Sequence, residues 1–197
     1  ARLWLTYIGG AGDDFGTSIA GDNSGNAIMV GYAAATSTNY PVTGTPAQGT
    51  MGGGQDVVIS EFSSTGALTY STFLGGTGND IGYGVSTDNS NNFYLTGNAQ
   101  TGFPTGAVTG NTTAYPTFQN GTTDAFVAKY NSSGVKQWST FLGGSLADQG
   151  LAIKATTNGM VYVTGVTNVV GTGFPNTTGV TPGGQNDAFL TKFNSFG

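Results

Sequence analysis

The stretch Tyr70-Ser71-Thr72-Phe73-Leu74-Gly75-Gly76 decides the fold, because it is an apolar strand-like run closed by two glycines and it recurs along the chain. Ile8 precedes the pair Gly9-Gly10, and Leu142 precedes the pair Gly143-Gly144, at offsets of 66 and 68 residues from the central copy. Self-similarity at a nearly constant spacing is typical of a repeat architecture. The sequence therefore predicts three copies of one structural unit.

Two aspartate motifs keep the same spacing as the glycine pairs. One is an Asp-x-Gly step soon after each pair, at Asp14, Asp80 and Asp148. The other is an aspartate that opens an apolar run, at Asp56, Asp124 and Asp187. Length varies only in the segment between these blocks, so we divide the chain into repeats 1–66, 67–134 and 135–197.

Each repeat is predicted to contain four short strands and no helix. A turn such as 22–26, rich in Asn and Gly, suits a hairpin because these residues tolerate positive φ. In the fourth strand both faces are apolar, with Phe126 and Ala128 on one and Ala125 and Val127 on the other. Such a strand must be covered on both faces. We expect an all-β fold of four-stranded antiparallel blades of the β-propeller type, with a β-solenoid or a sandwich as the alternative.

The composition removes several classes of chemistry. The chain has 35 glycines, 8% charged residues, a net charge of −5, no cysteine and no histidine. A Ser-His-Asp triad, a thiol nucleophile and a thiolate or imidazole metal site are therefore excluded. A net negative charge provides no basic surface for binding nucleic acid. No apolar run is long enough to span a membrane. We expect a protein that is not an enzyme and needs no cofactor.

The order of the motifs adds a resemblance to the residue patterns. Tyr94-Leu95-Thr96-Gly97, Phe103-Pro104 and the run that begins at Asp124 follow the central glycine pair in turn. This order, repeated over the whole chain, resembles the bacterial seven-bladed β-propeller repeat family of large secreted and cell-surface proteins. The resemblance implies propeller blades and an extracellular or cell-surface location, and it implies no catalytic residue. The chain departs from the pattern at residues 156–160 and 59–61.

Three repeats are too few for a ring, since closed propellers have about four to eight blades. The repeat boundaries fall in the turn between two strands that should pair, so segments 3–8 and 188–193 are expected to lack partners. Exposed apolar edges without polar caps indicate association. The partner is predicted to be another copy or further repeats of a longer polypeptide, forming a six-bladed ring, a larger propeller or a filament.

The predicted contact between units is a strand pairing. Segment 3–8 is expected to pair antiparallel with segment 188–193 of a neighbour, in the register that residues 69–74 use with residues 57–62. A proline at Leu5 would test this pairing if that N–H faces the partner. The residues assigned to self-association are Leu3, Trp4, Leu5, Tyr7, Ile8, Ala188, Phe189, Leu190 and Phe193.

Two other kinds of site have a motif in the sequence. Oxygen-bearing residues at alternate positions suit calcium, although they equally suit a capped hairpin turn. These calcium candidates are Asp22, Ser24, Asn26, Asp88, Ser90 and Asn92. The repeated carboxylates resemble an acid–base pair, but one in every repeat favours a structural role.

The long loops between the third and fourth strands carry aromatic side chains. Such loops could present these side chains to a carbohydrate or another ligand, as in a lectin or an adhesin. Alternatively, the aromatic side chains hold each loop against its blade. The candidate ligand residues are Tyr40, Phe103, Tyr115, Phe118 and Phe174.

Overall fold

The computed structural model describes residues 1–107, 121–168, 179 and 183–197. Within these ranges the chain forms β-strands and no helix, which confirms the all-β prediction. The strands are β1 (Asp14–Gly21), β2 (Ala27–Ala34), β3 (Gln55–Phe62), β4 (Leu68–Leu74), β5 (Ile81–Thr87), β6 (Phe93–Ala99), β7 (Gly106–Ala107), β8 (Asp124–Tyr130), β9 (Lys136–Leu142), β10 (Asp148–Ala155), β11 (Val161–Thr167) and β12 (Asp187–Phe193).

The strands form three antiparallel sheets, which we call blades I, II and III. Blade I has the order β1-β2-β3-β4, blade II the order β5-β6-β8-β9-β7, and blade III the order β10-β11-β12. The strand that opens one repeat therefore completes the blade of the repeat before it. β4 pairs antiparallel with β3, as predicted, and the structure places Val57 opposite Leu74 and Ser60 opposite Ser71.

Strand β3 shows why both faces of a blade are apolar: each face packs against a different cluster of side chains. Val57 and Ile59 of β3 lie in a core shared with blade II, which includes Val85. Val58, on the opposite face of β3, packs in a second cluster with Tyr40 and Phe73. Alternate residues of one strand thus fill two different cores, and neither face is left to solvent.

The blades are arranged side by side about their first strands. β5 packs against β1 of blade I and against β10 of blade III. β4 lies at the opposite edge of blade I, and β9 lies on the same side of blade II, with the two-residue strand β7 outside it. One core lies between blades I and II, and a second core lies between blades II and III, with Tyr94, Val127 and Ile153 among its members. This arrangement is an open array of propeller-type blades.

The first strand of each blade contains a β-bulge next to a glycine. The pairing of β5 with β6 shifts between Gly82 and Gly84, and corresponding shifts occur in blades I and III. A Cβ at Gly97 would collide with the carbonyl oxygen of Ile81. The bulge therefore brings the backbone of one strand close to its neighbour, and only glycine fits at the contact.

Candidate interface at the two ends of the array

The internal junctions show how one blade holds the last strand of its neighbour. Tyr70 of β4, a blade I strand, donates its hydroxyl to the carbonyl of Gly134 beside blade II at 2.8 Å. Trp138 of β9 lies against Gly197 beside blade III and donates from Nε1 to the carbonyl of Ser195 at 3.5 Å. In both cases an outer-strand aromatic reaches the turn of the following blade.

Segment 3–8 makes the equivalent contacts with the turn of blade I, although it belongs to none of the three sheets. Trp4 Nε1 donates to the carbonyl of Ser64 at 3.1 Å, and its ring stacks on Phe62 with centroids 6.3 Å apart. At the other end, Gly10 N donates to Asp14 Oδ2 at 2.7 Å. The corresponding bonds, Gly76 to Asp80 and Gly144 to Asp148, are also 2.7 Å long.

These anchors place segment 3–8 where the outer strand of a preceding blade would lie. Among the described residues, no strand pairs with it. Its side chains are consequently open to solvent: Tyr7 is 91% exposed, whereas the equivalent Phe73 of β4 is 4% exposed. Leu3 and Leu5 are exposed as well.

β12, at the other end of the array, has the complementary defect. It pairs with β11 on one side, and its other edge meets no strand in the described part of the chain. Leu190 of β12 is 75% exposed, whereas its equivalents Ile59 and Val127 are fully buried. Ala188 is also exposed.

The blade faces at the two ends are exposed in a matching way. Ile19 of blade I is 68% exposed, but its equivalents Val85 and Ile153 are 7% and 9% exposed inside the internal junctions. Tyr162 of blade III is 38% exposed, whereas its equivalent Tyr94 is buried. Ile19 and Tyr162 are not among the residues assigned to self-association from the sequence, although alignment of the repeats shows that their equivalents are apolar or aromatic.

Two residues assigned to self-association face inward instead. Phe189 and Phe193 are 7% and 8% exposed, and both belong to the core between blades II and III. They alternate with Leu190 along β12, so they point to the opposite face of the strand. Ile8 is partly buried against the cluster of Val58 and Phe73. Of the residues assigned to self-association, Leu3, Leu5, Tyr7, Ala188 and Leu190 are therefore exposed, and Trp4 is half-buried.

The backbone of β4 shows which amides of segment 3–8 would face a partner strand. Ser71 N donates to the carbonyl of Thr43 at 3.1 Å, and Thr43 N donates to the carbonyl of Ser71 at 3.3 Å. Ser71 therefore turns its backbone groups away from β3. Leu5 occupies the same position as Ser71, so its N–H is expected to face away from the partner and the condition for a proline test at Leu5 is not met. The amide of Thr6, equivalent to Thr72, points toward the partner.

A pair of buried aspartates lies at each internal junction. Asp80 N donates to the carbonyl of Gln55, the neighbour of Asp56, at 2.7 Å. At the next junction Asp148 N donates to the carbonyl of Thr123, the neighbour of Asp124, at 2.8 Å. All four carboxylates, those of Asp56, Asp80, Asp124 and Asp148, are fully buried.

Burial shifts the ionisation of these carboxylates. Burial, and then the charge of Asp148, raise the pKa of Asp124 to about 7. Burial raises the pKa of Asp80 to about 6 against the hydrogen bonds from Gly76 and Gln100, and the charge of Asp56 adds to the increase. Burial also raises the pKa of Asp56 and of Asp148. The ionised pair is therefore unfavourable at each junction.

Replacing Asp124 by Asn should make the protein more stable in alkaline solution. A carboxylate with a raised pKa in the folded state contributes stability that is lost as the pH rises toward that pKa, here about 7. The advantage of Asp124→Asn over wild type should grow by about 2 kcal/mol between about pH 5 and about pH 8. Urea unfolding at both pH values measures it, with the exposed Asp13→Asn as the matched control. A variant that loses stability relative to wild type as the pH rises contradicts this account.

The calcium candidates form capped turns in the structure. Asp22 Oδ1 accepts from the backbone amides of Ser24 and Asn26 at 2.8 Å each, and Asp22 Oδ2 accepts from Asn26 Nδ2 at 2.9 Å. The turn of Asp88, Ser90 and Asn92 repeats these bonds. The carboxylate oxygens face N–H donors, which is the arrangement of a hairpin cap. In the described ranges, no group of three or more acidic residues is placed to hold a metal ion.

The described loop aromatics are buried rather than presented to a ligand. Tyr40 is 7% exposed and packs on Phe73, with its hydroxyl 3.3 Å from Ser60 Oγ. Phe103 is 5% exposed and packs on Phe126. Both pin their loops to a blade. Tyr115, Phe118 and Phe174 lie outside the described residues.

These features define an open array of all-β repeat blades. Within residues 1–107, 121–168 and 183–197, no strand meets the outer edge of β12 at one end or the anchored segment 3–8 at the other. The chain is similar to the regulatory protein FlaEY of Caulobacter vibrioides, with 28% identity over 180 residues. The match covers 91% of this chain and 18% of that protein. No family model matches the chain. In its described part, the chain has no helix of the length and apolarity needed to cross a membrane.

Proposed function

We propose that the chain is a non-enzymatic structural repeat module, of the secreted propeller-repeat type, that associates head to tail with further copies of itself. Segment 3–8 of one copy becomes the outer strand of blade III in another. One observation carries this proposal: segment 3–8 is anchored as β4 and β9 are, at Trp4 and at Gly10, yet no described strand pairs with it.

The internal blades give the register of the contact between copies. Val57 faces Leu74 in blade I, and Ala125 faces Leu142 in blade II. By the same alignment Ala188 faces Ile8 of the next copy. The pairing then covers the exposed edge of β12 with a strand.

Side chains at the internal junction predict a further contact between copies. Lys129 Nζ donates to the carbonyl of Ser195 at 2.9 Å, beside the contact of Trp138. Lys192 is equivalent to Lys129, and Ser64 is equivalent to Ser195. In the assembly Lys192 of one copy therefore donates to the carbonyl of Ser64 in the next. Repeats of a longer polypeptide would use the same contacts.

An engineered disulfide tests both the association and its register. Ser60 Oγ and Ser71 Oγ, on facing positions of β3 and β4, are 3.1 Å apart. Their equivalents at the contact between copies are Thr191 and Leu5. Because the chain contains no cysteine, the double variant Leu5→Cys/Thr191→Cys should form disulfide-linked multimers on mild oxidation. Non-reducing gel electrophoresis and light scattering measure them.

The matched control moves one cysteine by a single position. In Thr6→Cys/Thr191→Cys the two thiols lie on opposite faces of the sheet, so multimers should be few. Equal cross-linking in both variants contradicts the register. A wild-type chain that stays monomeric in analytical ultracentrifugation at every concentration rejects the self-association itself. Electron microscopy of the linked product distinguishes a ring from a filament.

A further inference from the structure

The two internal junctions share one arrangement of carboxylates around a glycine. A Cβ at Gly143 would lie 2.7 Å from Asp148 Oδ2 and 2.8 Å from Asp124 Oδ1. A Cβ at Gly75 would lie 2.6 Å from Asp56 Oδ1, while Gly76 beside it donates to Asp80 Oδ2. The two acids of each junction therefore meet across the first glycine of the Gly-Gly pair.

Each pair contains buried carboxylate oxygens that lack a donor. Asp56 Oδ1 in the first pair, and both oxygens of Asp124 and Oδ1 of Asp148 in the second, accept no hydrogen bond from the described residues. Asp80, by contrast, accepts from Gly76 N and Gln100 N, one at each oxygen. An orphaned buried acceptor beside a second carboxylate becomes a donor when it is protonated.

A proton fits this place better than a metal ion. The glycine is packed so closely against the carboxylates that even a methyl group has no room there. A calcium ion requires about six to eight oxygen ligands at about 2.3–2.6 Å. Two carboxylates around a packed backbone do not offer that shell.

The ends of the array hold the two halves of a third pair. Asp14 is equivalent to Asp80 and Asp148, and it already accepts from Gly10 N at 2.7 Å and from Ser37 Oγ at 2.6 Å. Asp187 is equivalent to Asp56 and Asp124, and its Oδ2 accepts from Gly183 N and Gly184 N. Both end carboxylates are partly exposed, in contrast to the four internal ones.

We propose that Asp187 of one copy and Asp14 of the next form this third pair and share a proton taken from solvent, so that association is coupled to proton uptake. The inference rests on the proposed head-to-tail contact. The two acids share the proton between them, and Asp14 keeps its bond from Gly10. Acidification therefore strengthens the contact between copies.

The direction and size of the effect follow from the internal pairs. The side chain of an aspartate in a model peptide has a pKa of about 4. In the internal junctions the pKa of Asp80 is about 6 and that of Asp124 about 7. Between these limits the assembled state binds one more proton than the free chains. Each unit of decrease in pH then raises the association constant by up to about tenfold.

Other titratable groups lie in the same blades as Asp14 and Asp187, and the choice of variants must take them into account. Asp13 adjoins Asp14 in the chain, and the charge of Asp14 contributes to the raised pKa of Tyr40, after burial. Asp56 lies two strands from Asp14 in blade I, and Asp148 lies two strands from Asp187 in blade III. Lys192 is at the far end of β12.

Sedimentation equilibrium of the full chain at about pH 5 and about pH 8 tests the coupling. Wild type should associate about 10-fold to 100-fold more tightly at the lower pH. Asp187→Asn, which resembles the protonated acid and still accepts from Gly183 and Gly184, should associate equally at both pH values. Asp13→Asn removes a charge from an exposed position and should keep the pH dependence.

Each alternative outcome has a distinct meaning. Association that is the same at both pH values in wild type rejects the shared proton and leaves the strand contact standing. A pH dependence that persists in Asp187→Asn, or that disappears in about 0.5 M salt, indicates general repulsion between negative chains and rejects the pair. Association that requires added calcium and ignores pH identifies a cation instead. Absence of association under every condition rejects the head-to-tail contact itself.

Discussion

Replacing Thr6 by proline is expected to weaken the association between copies by about a hundredfold or more. Thr6 is equivalent to Thr72, and the outward bonds of Ser71 and Phe73 to Thr43 and Gln48 leave the Thr72 amide directed toward β3. Proline removes that donor and restricts the backbone at the centre of the ladder. The carbonyl that it leaves unsatisfied on the partner strand costs up to about 3 kcal/mol. Sedimentation equilibrium of variant and wild type measures the loss.

The neighbouring residue supplies the control. Leu5→Pro places the same ring one position earlier, where the amide points away from β12, so the association should weaken by less than about tenfold. Both variants should keep the wild-type melting curve, because segment 3–8 is largely exposed in the single chain. If Leu5→Pro is the more harmful, the register is shifted by one residue. If neither variant affects association, segment 3–8 is not the strand that pairs.

The repeat motif predicts the strands and the internal register because every blade repeats the same constraints. The motif around Leu74 ends in two glycines, and the Asp80 motif follows at a fixed distance. The pairing of β3 with β4 agrees with the predicted pairing of residues 57–62 with residues 69–74. The register itself comes from the structure, where the period-2 alternation of the strand buries Val57 and Ile59 on the same face.

Segment 3–8 shows what the repeat does not determine. Its sequence resembles that of β4, so the repeat predicts a strand, yet the structure shows an anchored segment without a sheet. A strand needs a neighbour to pair with, and the pattern of one chain does not contain the neighbour. The contact of Trp4 with Ser64 and Phe62 is a tertiary feature, and no local pattern shows it.

The exposure of the end faces is a second property that depends on context. Ile19, Val85 and Ile153 are equivalent in sequence, but the first is 68% exposed and the others are nearly buried. Phe189 is apolar and lies at an end, yet it points into its own blade. Hydrophobicity alone ranks these residues together, and only the direction of each side chain separates an interface residue from a core residue.

The glycine at the bulge should be the position most sensitive to a single added methyl group. A Cβ at Gly97 would overlap the carbonyl oxygen of Ile81 and lie 2.7 Å from Cε1 of Phe126. The first contact is with backbone held in the β5–β6 ladder, so it has little freedom to move. Gly97→Ala is expected to lower the free energy of unfolding by more than about 3 kcal/mol, measured by urea denaturation.

Gly21 offers a matched comparison within the same fold, because it also lies in a strand and its added Cβ would meet only Asn26 O, at 3.9 Å. Gly21→Ala should leave stability unchanged or raise it by about 0.5 kcal/mol, since alanine has less backbone freedom in the unfolded chain. Similar losses at both positions would mean that the close approach at the bulge relaxes easily. A large loss at Gly97 alone shows that the bulge fixes β5 against β6, and hence the spacing of the blades on which the contact between copies depends.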